Sequence, residues 1–439
     1  MTDENYYVAR AERADDELSE AESSLPTPEE SADEREKVDE YCEEIRKSLA
    51  DYADGLTSTR EETACARKLR DELSPDAVTR MEAFRTPPYA GRNCFALFAV
   101  TYFFAALFYF VSFGGSRADG IILVFVALGI FVLGGIASGA AFLGVKKAVA
   151  CLYPKKISYN VFSENMPLKE QKGNNLVIIA SNHDASPGSY FVNFERVRKV
   201  VFVVAPVSAV LFVLFCIVKI CVGSDTVPKI TSLSILPFFD VLAGIFVMLM
   251  HFSPFQRHAR ENNGISTAVS LAVYKKLLRE PELLPEGTRV CFVSFGGENS
   301  AHAGSRAFAA AHPEIKGAKA LVIGDIEGGK FSLLRRDALR KTEFSASSSA
   351  LFDAVEKTGV PCLLPPGDGI SDKMNALHGF AANALAEAGC ECAFFAAKDY
   401  GGNEGDFRKE DAGKLYDIAL NTIVNMTAKK EEETYGEED

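Results

Sequence analysis

The chain of 439 residues has no tryptophan, only six histidines, and 47 basic side chains against 60 acidic ones, for a formal net charge of -13. Basic clusters are what neutralise a phosphate backbone, and the charge runs at both ends here are acidic, so nucleic acid is excluded as a partner. The first residues, Met1-Thr-Asp-Glu-Asn-Tyr6, also lack the basic region of a secretory signal, and no signal peptide is expected. Ten cysteines are present without a disulfide framework, which suits a reducing compartment. Cys390 and Cys392 stand one residue apart, but Ala388 and Ala393-Phe-Phe395 around them read as the start of a buried strand. His251, His258, His312 and His378 follow no metal spacing.

Long apolar runs are abundant. Those at 94–114, 120–145, 200–221 and 233–252 each reach the span of about 20 residues that a bilayer crossing needs, and the first carries no charge. They predict two transmembrane hairpins, with the lipid bilayer as partner. Lys219 can snorkel to an interface from the end of the third run. Asp240 has two readings: a functional ionisable group within a span, or a first-turn residue of a helix that begins at Pro237, which is the favoured one. The connections at 114–119 and 222–232 hold few basic residues, whereas Arg85, Arg92, Lys146, Lys147, Lys155, Lys156, Arg196, Arg198, Lys199, Arg257 and Arg260 crowd the other flanks. The positive-inside rule then places both termini and the non-membrane part in the cytoplasm.

The remaining sequence alternates strand and helix, as a mostly parallel sheet covered by helices requires. Expected strands fall at 174–179, 289–295, 318–323, 361–364 and 392–396, and expected helices at 266–278, 305–312, 345–358, 379–388 and 412–426. The chain divides into an acidic disordered segment (1–35), an N-terminal helical part (36–92), the first hairpin (93–150), a first sheet part (151–198), the second hairpin (199–253), the rest of the sheet domain (254–428) and an acidic tail (429–439).

Five motifs carry the candidate chemistry. They are Ser294-Phe-Gly-Gly-Glu-Asn-Ser-Ala-His302, Ser181-Asn-His-Asp184, Glu261-Asn-Asn-Gly264, Ala320-Leu-Val-Ile-Gly-Asp-Ile-Glu-Gly-Gly329 and Tyr400-Gly-Gly-Asn-Glu-Gly-Asp406. Taken together along 52–426 they resemble the di-zinc aminopeptidase family. The phrases Ala53-Asp-Gly-Leu-Thr-Ser-Thr-Arg-Glu-Glu-Thr63 and Lys156-Ile-Ser-Tyr-Asn-Val161 are similar to that family's lead-in to its first strands. The resemblance implies an aminopeptidase-like mixed sheet interrupted by the two hairpins. It makes Glu298 the vestigial general base, Asp184 the residue that orients a ligand, and Asp325 the one metal ligand kept.

Asn182, Asn262, Asn299 and either Gly402 or Asn403 then stand where the family has its other ligands. A carboxamide brings none of the charge that a divalent ion needs, so the resemblance implies that zinc, and with it peptidase activity, is lost. The cleft would remain as a binding site for a peptide or partner. The alternative is an active metallo-aminopeptidase with an altered or single-metal site built from His183, Asp184, Glu298, His302 and Asp325, against the plainer view that both histidines are ordinary loop residues. A third and weaker possibility is transport by the helices, resting on Asp240 and Lys219.

Overall fold

The computed structural model describes residues 28–50, 55–88, 94–114, 116–142, 154–165, 176–187, 195–222, 232–251, 259–260, 264–298, 302–326, 331–333, 362–363, 381–397 and 410–427. The order is α1 (Pro28–Ala50), α2 (Arg60–Leu73), β1 (Val78–Thr86), α3 (Cys94–Val111), α4 (Arg117–Phe142), β2 (Lys156–Glu164), β3 (Leu176–Asn182), β4 (Ser186–Pro187), α5 (Glu195–Val222) and α6 (Ser232–His251). It continues with β5 (Ala259–Arg260), α7 (Ile265–Arg279), β6 (Arg289–Phe295), α8 (Ala303–Ala311), β7 (Lys319–Ile326), β8 (Phe331–Leu333), β9 (Cys362–Leu363), α9 (Ala381–Glu387), β10 (Glu391–Ala397) and α10 (Glu410–Thr427). The helix expected at 345–358 lies outside the described residues.

Eight strands form one mixed sheet in the order β1-β2-β6-β3-β7-β10-β8-β9. Its centre, β6-β3-β7-β10, is parallel; β1 with β2, β2 with β6 and β10 with β8 pair antiparallel, and β9 lies parallel to β8. The central strands read as unbroken apolar runs because both their faces are covered. Val177, Ile179, Val290, Phe292, Leu321 and Ile323 point to one face, where they meet Cys65, Leu69, Tyr274, Ile418 and Ile423 of the covering helices. Ile178, Ala180, Cys291, Val293, Phe295, Ala320 and Val322 point to the other, against Phe308, Leu385 and Ala382. Cys392 is buried at the start of β10, and the Cys390 thiol bonds the Ile315 carbonyl at 3.2 Å.

The amino-terminal part differs from the expectation in detail. Helix α1 starts at Pro28, inside the segment read as disordered; proline's fixed φ suits a first turn, and Cys42, Ile45 and Leu49 bury an apolar stripe further along. The N-terminal helical part (36–92) also contains β1, whose Val-Thr-Arg-Met-Glu-Ala-Phe-Arg-Thr sequence hides its period of two behind charged residues on an edge strand.

The four apolar runs are helices, packed as α3 with α4 and α5 with α6 around a core that includes Tyr102, Tyr109, Val124, Phe131, Phe212 and Val241. Among the described residues one stretch, Ala118–Ser138, is long and apolar enough to cross a membrane. Leu97–Val111, Val207–Cys221 and Ile235–Ile245 are shorter apolar helices of 10–17 residues, so four crossings are not reached by length and composition. Every exposed large apolar side chain described lies on these four helices, except Val78, Ile157 and Phe113. Pro237 also lies inside α6 and does not begin it, which moves Asp240 from a first turn to the middle of the helix.

Each hairpin returns to the place it left. Thr86 pairs with Lys156, which joins the ends of the first insertion, and Pro187 pairs with Ala259 across the second. Strand β2 runs antiparallel to β6, so its first residue lies beyond the last residue of β6. Both insertions therefore leave from the end of the sheet where β6, β3 and β7 finish.

Candidate functional site

That same end collects the candidate residues. Asn182, the last residue of β3, is the register partner of Phe295 on β6, and Glu298 follows three residues later. On the other side of β3, Ala180 pairs with Val322, which puts the backbone of Asp325 level with His183. The Thr267 hydroxyl donates to the Asn182 carbonyl at 3.0 Å, which brings the start of α7, and so the chain just after Asn262, to the same point. The side chain of Asp325 and all of Asn262, Asn299, Gly402 and Asn403 lie outside the described residues, as do the loops that would wall a cleft.

Glu298 is 7% exposed, and both its carboxylate oxygens are engaged. Oε1 accepts from the Ser305 amide at 2.6 Å, in the first turn of α8, and Oε2 lies 3.1 Å from His302 Nδ1. His302 holds a left-handed backbone (φ 56°) at the head of that helix, and Glu298 caps the helix through the Ser305 amide.

Beneath Asn182, the Asp184 Oδ2 accepts from the Thr57 hydroxyl at 2.9 Å, and Ala185 bonds the Gly55 carbonyl. His183 turns away from the cleft end into the sheet: its Nδ1 lies 2.9 Å from the Ser294 hydroxyl and its amide donates to the Phe295 carbonyl. Burial pushes the His183 pKa down to about 4, so the ring is neutral at physiological pH. Its Nε2 is buried with no hydrogen-bond partner among the described residues. Burial, with the charges of Glu62 and Asp184 adding to it, pushes the nearby Cys65 thiol up to about 12, which keeps it in the thiol form.

Four residues without an assigned role in the sequence reading hold this arrangement together. Glu62 is 1% exposed and accepts from the Ser158 hydroxyl at 2.6 Å, the Gly297 amide at 3.0 Å and the Ser58 amide at 2.5 Å. Asn160 accepts from the Gly296 amide at 3.2 Å and donates to the Gly304 carbonyl at 3.0 Å. Together with Ser158 and Thr57 they fasten the Gly296-Gly297-Glu298 turn to α2 and β2. A sequence signal was there: Ser158 and Asn160 are polar at a spacing of two among Ile157, Tyr159 and Val161, and Glu62 stands among the first residues of α2.

Of the positions that resemble the family's ligands, Asn182 is the one whose side chain is described, and a carboxamide brings none of the charge that a zinc ion needs. The Asn182 amide directs Nδ2 toward the Asp184 carbonyl at 3.5 Å, both Glu298 oxygens have partners, and Asp184 bonds Thr57. Among the described residues no three His, Cys, Asp or Glu side chains gather as a metal ion would require.

No protein-family model matches the chain, and no curated protein matches it. Solved structures similar to it include a glutaminyl cyclase from Fimbriiglobus ruber (TM-score 0.45, 11% identity, covering 89% of this chain and 94% of that one). An aminopeptidase from Aneurinibacillus sp. strain AM-1 gives a TM-score of 0.45 at 13% identity over 88% and 93%. The zinc aminopeptidase BSAP of Bacillus subtilis gives 0.45 at 11% over 91% and 96%.

Proposed function

We propose that this chain is a membrane-embedded, aminopeptidase-like protein that has lost its metal site and keeps the carboxyl end of its sheet for binding. The observation that carries the reading is the fate of Glu298. A general base needs a free oxygen beside an activated water, and here one oxygen caps α8 while the other meets His302. The carboxamides at Asn182, Asn262 and Asn299 support it, since a co-catalytic zinc pair needs charged or imidazole ligands in those places. Uncharged donors and acceptors beside Glu298 and Asp325 suit a peptide amine or a polar partner.

One observation favours the second reading, an active enzyme with a single relocated metal: the buried Nε2 of His183 has no hydrogen-bond partner among the described residues. Metal analysis separates the two. Purified protein is expected to carry zinc far below one ion per chain, to keep its melting temperature in chelator, and to turn over no aminoacyl substrate. Stoichiometric metal, or a melting temperature that falls on chelation, would establish the second reading.

The apolar exterior of α3–α6 supports placing the bundle in a bilayer, and the basic flanks support a cytoplasmic sheet domain. A tag after Asp439 is expected to be shielded in intact cells, and one within 224–230 to be labelled from outside. The opposite pattern would invert the topology.

A further inference from the structure

We propose that the helix bundle holds a protonatable site of its own, in which Asp240 takes up and releases a proton at mid-bilayer depth against the hydroxyl of Tyr102 beside Ser208. The proposal rests on the bilayer reading above and is independent of the sheet domain's activity.

Three helices each deliver one polar residue from near their midpoints: Tyr102 from α3 (Cys94–Val111), Ser208 from α5 (Glu195–Val222) and Asp240 from α6 (Ser232–His251). The Tyr102 hydroxyl donates to Asp240 Oδ2 at 3.2 Å and lies 3.0 Å from Ser208 Oγ. Ser208 in turn donates to the main-chain carbonyl of Asp240 at 3.0 Å. One turn further along α6, Gly244 leaves room for both hydroxyls. A Cβ there would lie 2.4 Å from Ser208 Oγ and 2.9 Å from the Tyr102 ring. The rings of Phe131 and Phe212 stand with centroids 5.1 and 5.0 Å from that of Tyr102 and enclose the site in hydrocarbon.

Among the described residues no Lys, Arg or His pairs with Asp240, and the bundle's buried cation, Lys219, is engaged elsewhere. It bonds Ser112 and sits 3.0 Å over the Phe113 ring, about 16 Å along α5 from Ser208 by helical rise. The other titratable groups around Asp240 are Tyr102 on α3 and Cys216 two turns on along α5. Helix α4 carries Arg117 and Asp119 in its first turn, at the Ser112 end.

An ionised carboxylate without a counter-charge is costly in hydrocarbon, and the cheapest relief is a proton. Tyr102 suits both states. Its hydroxyl donates to the carboxylate, and its oxygen can accept once the carboxyl carries the proton. A lock between helices would need only one of these roles.

The test uses full-length protein in lipid vesicles and dicyclohexylcarbodiimide, a lipid-soluble reagent that adds the protonated carboxyl across its N=C=N unit. An adduct on the Asp240 peptide is expected at low pH, decreasing as pH rises, and absent in Asp240→Asn. In Tyr102→Phe the carboxylate loses its phenolic donor, so the labelling curve should be displaced along the pH axis from that of the unaltered protein. No adduct at any pH, or an adduct indifferent to pH, with the protein still resistant to alkaline carbonate extraction, would overturn the site alone. Release by carbonate, or equal labelling by a water-soluble carbodiimide, would overturn the bilayer reading and this placement of the site with it.

Discussion

Gly304→Ala is expected to destabilise the sheet domain by about 3 kcal/mol or more, against the usual direction for such a change in a helix. Helix propensity alone favours alanine by about 1 kcal/mol. Space decides otherwise, because a Cβ on Gly304 would lie 2.0 Å from the Gly296 carbonyl oxygen and 2.6 Å from Asn160 Oδ1. The first is backbone and the second is held by two hydrogen bonds, so neither can yield cheaply. Thermal unfolding should show the melting temperature lowered by roughly 6–12 °C, at about 2–4 °C per kcal/mol for a domain of this size. An unchanged or raised melting temperature would mean that α8 does not abut the Gly296 turn as described.

Glu62→Ala is expected to cost about 3–5 kcal/mol, as the removal of one partner from a buried charged network does. Three donors, the Ser158 hydroxyl and the Gly297 and Ser58 amides, would lose their acceptor together in a place that water hardly reaches. Glu62→Gln should cost less, about 2 kcal/mol, since one amide oxygen remains while the new NH2 group opposes an existing N–H. The two can be compared by denaturant midpoint, with far-UV circular dichroism to confirm folding. If Ala and Gln are equally mild, the carboxylate does not anchor the Gly296-Gly297-Glu298 turn.

Much of the sheet was legible because buried parallel strands leave a plain mark. The apolar runs at 176–180, 289–295 and 318–323 can hardly be anything else between helices of period 3.6. Strand β1 escaped because an edge strand alternates charged with apolar residues, and Arg80, Glu82 and Arg85 blur its pattern. The start of α6 was misplaced because Pro237 is an ordinary helix opener in water, whereas the structure carries it inside a bundle helix. At the candidate site, Asn182 and Glu298 stand out in the sequence through their motifs. The supports Glu62, Asn160 and Thr57 were not assigned, because their partners lie 235, 144 and 127 residues away and only the fold brings them together.

The stem pairs Thr86 with Lys156 and Pro187 with Ala259 have a consequence for whatever the site receives. Segments 87–93, 188–194 and 252–258 each span no more than about 25 Å even when fully drawn out. On the bilayer reading, the carboxyl ends of β6, β3 and β7 are thus tethered with their opening toward the headgroups. An occupant anchored in the same membrane would search a thin layer, not a volume, at an effective concentration far above its average in the cell. Contacts too weak to capture a freely diffusing peptide would then suffice for a membrane neighbour.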